Sequence, residues 1–385
     1  MGSETSIISK ETFRLNVQDF IQQHVLPHFE KWENDKTISV EFFKKASEYG
    51  LIGINVPQSA YGSGLDFSYT KIMADEFMRA RAIGPGSSLI IQSNTVCPLL
   101  YNYGSDYIRH TFLKPLIEGN AIASFAATDP SGGSDLIHSI ETSAVKVGDE
   151  WVISGEKMFI TNSTIADYLV VLARTTPTHN PLSMTMFLVP TDSEGVIIEE
   201  MEKSGQLSSP IGRIYLNQCR VPESHIIGKV GRGFLIASES LVYERILIGA
   251  GSITFAQACL EKTIEFLKDR TYKDMSITSY QSIRHELSTL YARLKSYESF
   301  VNSVIQSIVE GKLDKGKACI SKFALCDFAQ KVIKRCCQLH GSTGLYEDSW
   351  ISKAAMDSRV FSIYAGSTEM LKELYSLKYL SKFQV

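Results

Sequence analysis

The sequence predicts an α+β chain of several domains: an all-α domain over residues 1–120, a middle β-barrel over 121–233 and a four-helix bundle over 234–385. Three observations predict it. Apolar residues recur at helical spacing before residue 121; strand-like alternation broken by turn residues follows; helical spacing then returns in long pieces from Phe234 onward. At 385 residues, with 44% hydrophobic and 21% charged content, the chain is long enough to bury more than one core, which excludes disorder and fibres.

The first part rests on sets such as Phe20, Ile21, His24, Val25 and Phe29, and Ile72, Phe77 and Met78, with breaks at Pro57, Gly62-Ser63-Gly64 and Gly84-Pro85-Gly86. The second rests on five short runs opening at Glu141, Trp151, Tyr168, Met184 and Arg213, rich in β-branched and aromatic residues and read as antiparallel strands. In the third, helices are expected over 241–270, 279–310, 315–339 and 364–380, the right number and length for a bundle. No internal repeat and no low-complexity linker interrupts the chain, so the three parts are expected to pack into one body with a site between them.

Lys plus Arg number 39 against 42 Asp plus Glu, a formal net charge of -3, so no basic excess points to nucleic acid. The seven cysteines contain no CxxC pair and sit mostly in apolar stretches, which predicts a reducing compartment and no structural metal. No apolar run reaches the roughly 18 residues of a membrane span and no hydrophobic leader opens the chain, so a cytoplasmic protein without a membrane partner is expected. Residues 1–6, Met-Gly-Ser-Glu-Thr-Ser, fit the myristoylation pattern formally, but the pattern is too short to carry weight.

The densest local signal runs from Phe125 to Asp135, Phe-Ala-Ala-Thr-Asp-Pro-Ser-Gly-Gly-Ser-Asp. It is a strand end entering a glycine loop, whose free N–H groups and hydroxyls suit an anionic or polar cofactor. A second segment, Gly155 to Asn162, places Phe159 and Thr161 two residues apart on one strand face, able to stack on and hydrogen-bond a flat ring. Alone, the first is an ordinary β-loop and the second a buried aromatic.

Together, at this spacing, they resemble the acyl-CoA dehydrogenase family, which carries a Thr-Glu-Pro-x-x-Gly-Ser-Asp loop followed by Gly-x-Lys-x-x-Ile-Thr-Asn. The resemblance continues through Gly231-Arg-Gly-Phe, Glu244-Arg245, Arg270 and Gln281, Gln338-Leu-His-Gly341-Ser342-Thr-Gly344 and Tyr364-Ala365-Gly366-Ser367-Thr368-Glu369, covering essentially the whole chain. It implies the family's three-domain fold and a noncovalent FAD. Phe125, Ala126, Ala127, Thr128, Gly133 and Ser134 would surround the flavin and its pyrophosphate, with Phe159 against the isoalloxazine and the Thr161 hydroxyl near N5. Arg270, Gln281, Gln338, Gly341, Ser342, Ser367 and Glu369 would complete the cofactor site, partly from a neighbouring subunit, implying a homo-oligomer, a dimer or a tetramer. Ser134, Arg245, Tyr364, Ala365 and Gly366 would contact substrate.

Departures from the family pattern sharpen the reading. Many members carry a glutamate base after the tyrosine of the last motif; here Ala365 stands there, and alanine takes no proton. Isovaleryl-CoA and long-chain acyl-CoA dehydrogenases, and some carrier-protein-dependent relatives, carry the base in a Glu-Arg pair on the long C-terminal helix, which corresponds to Glu244-Arg245. The neighbours of Glu244 at i+3, i+4 and i+7 are Leu247, Ile248 and Gly251, an apolar, small-residue face whose burial would raise its pKa. The bland alternative is a helix glutamate paired with an arginine. Lys273-Asp274 replace the common Phe-Gly, and Val242 replaces an aspartate found near the pantetheine in several CoA-using members.

The resemblance therefore implies removal of an α-proton from a thioester by Glu244 and loss of a hydride from the β-carbon to flavin N5. The thioester oxygen would be polarised by a flavin ribityl hydroxyl and the backbone N–H of residue 365. Phosphopantetheine on an acyl or peptidyl carrier protein, or in CoA, presents the same arm. The overall likeness is to dehydrogenases and oxidases acting on prolyl groups tethered to carrier proteins in secondary-metabolite biosynthesis; the alternative is a branched-chain or medium-to-long-chain acyl-CoA dehydrogenase. Oxygen or an electron-transfer flavoprotein would reoxidise the cofactor.

Overall fold

A computed structural model describes residues 8–383, so the opening Met-Gly-Ser pattern lies outside the described residues. The protein is α+β, with helical N- and C-terminal regions and a sheet region between them in the sequence. By backbone proximity it forms two compact units. One comprises the described residues up to Met73 with Gly84–Lys203 and Leu207–Leu241; the other comprises Ala74–Ile83, Ser204–Gln206 and the described residues from Val242 onward.

In the first unit, the N-terminal helices follow the apolar spacing. Lys10–Phe20 starts at Ser9, whose hydroxyl accepts from the Thr12 N–H, and buries Phe13, Val17 and Phe20. Leu26–Asp35 follows with Pro27 in its first turn and stops where Lys36 turns left-handed.

Eight strands follow: β1 (Ala123–Ala126), β2 (Ser143–Val147), β3 (Glu150–Thr161), β4 (Tyr168–Arg174), β5 (Met184–Pro190), β6 (Val196–Glu200), β7 (Ile211–Pro222) and β8 (Ile226–Ile227). Their order is β6-β7-β3-β2-β4-β5-β8, with β1 beside β4. Pairing is antiparallel except that β1 runs parallel to β4 and β2 touches β4 in parallel at Ser143 and Arg174. Trp151, Ile153, Leu169, Val171, Phe187, Ile214 and Leu216 from four strands share one buried core, the interior that alternation predicts for a barrel.

Sequence alternation missed β6 and β8 and left β1 legible only as the strand end that enters the glycine loop at Phe125. β1 is four residues of Ala-Ser-Phe-Ala without a β-branched side chain, and β8 is two residues long.

The second unit holds the Gly233–Lys268 helix from Val242 on and the Lys315–His340 helix, which packs against Gln281–Val309, Thr368–Leu380 and a further helix, Trp350–Arg359, that the periodicity does not predict. The expected helix over 364–380 begins only at Thr368, because Ala365 and Gly366 have φ of 53° and 101°; Ser367 then caps it by accepting from the Met370 N–H. Two helices approach closely at Gly249, where an added Cβ would lie 1.9 Å from the Ser321 carbonyl oxygen.

All seven cysteines are free thiols, six of them buried. Among the described residues, no helix is long and apolar enough to cross a membrane.

Candidate active site

In the first unit the glycine loop and the second motif are joined by a buried lysine. Lys157, on β3, is fully enclosed and donates to Asp129 Oδ1 at 2.5 Å, to Leu172 O at 2.6 Å and to Ala127 O at 3.2 Å. Asp129, equally enclosed, also accepts from the N–H groups of Glu141 and Thr142 at 2.8 and 2.7 Å. The Met158 N–H closes the junction on Thr128 O at 2.9 Å. Both charges lie inside the motifs quoted from the sequence, yet their mutual pairing was not read there.

This junction brings Phe125, Ala126, Ala127, Thr128 and Gly133 beside the segment of Phe159 and Thr161. Gly133 sits so close to Thr128 that an added Cβ would meet its side chain at 3.2 Å. Phe159 departs from the simple alternation expected of it. Its φ is 61°, it lies in a register shift of β3 against β7 between Lys157 and Ile160, and its ring is 59% exposed. A bulge re-aims a side chain, which leaves an uncovered aromatic face on the strand that ends at the half-buried Thr161, with Thr128 half-buried and Ser134 exposed on the loop.

The second unit holds the rest in two groups. In one, Arg270 Nη1 donates to Leu339 O and His340 O at 3.3 and 3.0 Å, and its guanidinium lies against Gly341. Gln338 and Ser342 flank that turn and are exposed; Gln281 opens its helix, exposed, after a tight hairpin of β9 (Thr271–Tyr272) and β10 (Met275–Ser276). Lys273 and Asp274 form the hairpin tip with φ of 48° and 59°, the conformation a two-residue turn requires.

His340 is buried beside this turn, stacked on Phe266 with centroids 4.2 Å apart. Its Nδ1 lies 2.8 Å from the Cys336 carbonyl, which can only accept, so the proton is on Nδ1 and Nε2 is a bare acceptor, buried without a partner. Burial lowers its pKa, keeping it neutral.

The other group surrounds Glu244. Leu247 and Ile248 are buried and Gly251 lies against Met78, so one side of Glu244 is apolar. The carboxylate is half-buried, and desolvation pushes its pKa up to about 6 against the opposing pull of Arg245 and Lys322. Arg245, which in the bland reading would pair with it, instead donates from Nε to Ala365 O at 2.9 Å. Lys322, whose Nζ is 3.2 Å from Gly366 O and 5.7 Å from the Tyr364 ring centroid, was missed in the sequence. Its signal is a lysine inside the apolar run from Cys319 to Leu325, brought to this place by the close approach at Gly249. Tyr364 is half-buried, its phenol pushed well above its ordinary pKa by burial and by the Glu244 charge. Ser367 and Glu369 sit in the first turn of the following helix, Ser367 as its cap.

Each unit's donors suit part of a flavin dinucleotide: in the first an uncovered aromatic, hydroxyls and a glycine loop, in the second a guanidinium and an acceptor nitrogen without a partner. Among the described residues no cluster of His, Cys, Asp and Glu is arranged to hold a metal.

Comparison with known proteins agrees with this chemistry. Family models describing the N-terminal, middle and C-terminal domains of acyl-CoA dehydrogenase match residues 9–120, 124–219 and 231–377. The mitochondrial long-chain specific acyl-CoA dehydrogenase of Mus musculus is 31% identical over 377 residues, covering 96% of this chain and 86% of that protein. The crystal structure of an acyl-CoA dehydrogenase from Geobacillus kaustophilus superposes with a TM-score of 0.91 at 27% identity, covering 96% of this chain and 97% of that one. The prolyl acyl carrier protein oxidase AnaB superposes with a TM-score of 0.90 over 99% of both chains; at 23% identity this is a likeness of fold.

Proposed function

From its membership of the acyl-CoA dehydrogenase family, to which the chain belongs, we propose that it forms a carbon–carbon double bond next to a phosphopantetheine-linked thioester, with Glu244 as the base. The family assignment makes it an FAD-dependent oxidoreductase acting on CH–CH groups. The observation that carries the reading of Glu244 is its position: a half-buried carboxylate with pKa near 6, unpaired among the described residues, beside a backbone segment where Ala365 offers no alternative base.

Glu244 is ionised near neutral pH yet more basic than a free glutamate, as removal of a thioester α-proton demands. The electron pair of the Cα–H bond forms the new π bond as the Cβ–H bond breaks, and the proton ends on Glu244. When bound, FAD supplies the two-electron acceptor for the hydride from Cβ. Phe159 and the hydroxyls of Thr128, Ser134 and Thr161 would hold its ring system, and Arg270, Gln281, the Gln338–Ser342 turn, Ser367 and Glu369 would supply further contacts to FAD, partly from a neighbouring subunit.

Two acyl groups compete within this reaction. L-Prolyl on a carrier protein follows from the likeness of the sequence to prolyl-carrier dehydrogenases, with Glu244 present and Ala365 in the other base position. An acyl-CoA is supported by the 31% identity to the long-chain enzyme of the mouse. Anaerobic addition of L-prolyl carrier protein, isovaleryl-CoA and octanoyl-CoA to the FAD-loaded protein separates them. Bleaching of the oxidised flavin band by the prolyl substrate alone is the expected result; bleaching by a CoA ester alone assigns the chain to the second reading, and bleaching by none overturns both.

A further inference from the structure

Ala365 and Gly366 stand in succession at φ of 53° and 101°, and an alanine keeps the strained left-handed conformation only where its surroundings impose it. The surroundings here are two cations. Arg245 Nε donates to Ala365 O at 2.9 Å and Lys322 Nζ to Gly366 O at 3.2 Å, so consecutive carbonyls of one strained segment are each taken by a charged donor. The N–H groups of Ala365 and Gly366 have no acceptor among the described residues. Helix ends fix the segment on both sides, through Tyr364 N–H on Val360 O at 3.2 Å and the Ser367 cap.

Lys322 is 0% exposed, has no carboxylate within ion-pair distance among the described residues, and makes that single hydrogen bond. A buried ammonium with one neutral acceptor is costly for the fold, and its pKa is lowered by desolvation. Among the described residues, its one other contact with a charge-stabilising group is the Tyr364 ring, 5.7 Å from Nζ at the same segment.

We infer that Lys322 is a positioning residue: with Arg245 it locks the two peptides that follow Ala365, and so keeps the free N–H groups of this segment directed at the substrate's carbonyl oxygen. This rests on the thioester reading given above. The same cation is one of the two charges acting on Glu244, the other being Arg245 on its own helix; Tyr364 also faces Glu244, while Cys326 and Asp327 on the Lys315–His340 helix act on Lys322 itself. Its removal therefore also changes the proton affinity of the base.

The test compares wild type, Lys322→Met and Lys322→Arg as FAD-loaded proteins, with the thioester that bleaches the wild-type flavin and a matching thioether that lacks the carbonyl. Lys322→Met is expected to slow anaerobic flavin reduction roughly 10–100-fold, less than the loss of a direct oxyanion donor. It should also lose most of the wild-type preference for thioester over thioether in binding, leave thioether affinity unchanged, and move the acid limb of the reduction rate to higher pH by roughly one unit. Lys322→Arg should restore part of the preference.

An unchanged preference in a Lys322→Met protein that binds thioether normally would overturn the inference, even if its rate fell. If Lys322→Met fails to load FAD, Lys322→Arg decides: a preference retained in whole or in part supports the cation, and normal FAD loading with an abolished preference contradicts it. A wild-type protein that no thioester bleaches and that binds both ligands alike would instead sink the underlying thioester reading.

Discussion

Lys157 and Lys322 are both 0% exposed, one in each compact unit, and their surroundings differ in kind. Lys157 has a carboxylate and two carbonyls as acceptors, and its partner Asp129 is satisfied in turn by two backbone N–H groups. Lys322 has one carbonyl and a neighbouring carboxylate out of ion-pair reach. The first pairs its charge locally and so joins two motifs into one surface; the second leaves its field to act on Glu244. A buried charge that is fully paired supports the fold, whereas one left incompletely paired points to a site that uses its field.

The largest effect that would break this contrast is on chemistry. Glu244→Gln is expected to keep FAD and substrate affinity and to slow flavin reduction by roughly 10³-fold or more, read by anaerobic stopped-flow absorbance. Fast reduction in that variant would make Glu244 another paired structural carboxylate.

Next comes stability. Lys157→Met strands the enclosed Asp129 and should cost about 3–5 kcal/mol in urea unfolding, while Lys322→Met, which removes an incompletely paired charge, should stay within about 1 kcal/mol of wild type. Equal losses would erase the distinction. Gly249→Ala puts a methyl against the Ser321 carbonyl and is expected to cost about 1–3 kcal/mol while lowering the reduction rate, because it pushes the Lys315–His340 helix away from the Glu244 helix. A loss of stability with an unchanged rate would mean that close approach is dispensable for the site.

The smallest expected effect is that of Ala365→Glu, which should change the reduction rate no more than a few-fold, since a second carboxylate near Glu244 is crowded and repelled. A large gain would show that position 365 is still the better place for a base.

Periodicity made most of the fold legible. Helices of 26 to 36 residues and strands such as Leu-Val-Val-Leu-Ala on β4 carry their own pattern. Where the pattern is short or overridden, it failed: β1 and β8 have too few residues to alternate, and the strand of Phe159 is bulged by a positive φ that alternation does not reveal. The helix expected from Tyr364 starts four residues late because two cations hold Ala365 and Gly366 in a conformation that neither propensity nor spacing announces.

Glu244 was readable from its helical neighbours and the motif around it. Lys322, 78 positions further along, was not, because its meeting with Glu244 depends on the absent side chain of Gly249.

The measurement closest to the central claim is the pH dependence of anaerobic flavin reduction by the best thioester, in wild type and in Glu244→Gln. With a carboxylate raised to about 6 by desolvation and required in its ionised form, the wild-type rate should climb tenfold per pH unit below that value and level off above it. The residual rate of Glu244→Gln should lack that limb. A wild-type rate that is flat through this range, or a limb that persists in Glu244→Gln, would place the base elsewhere.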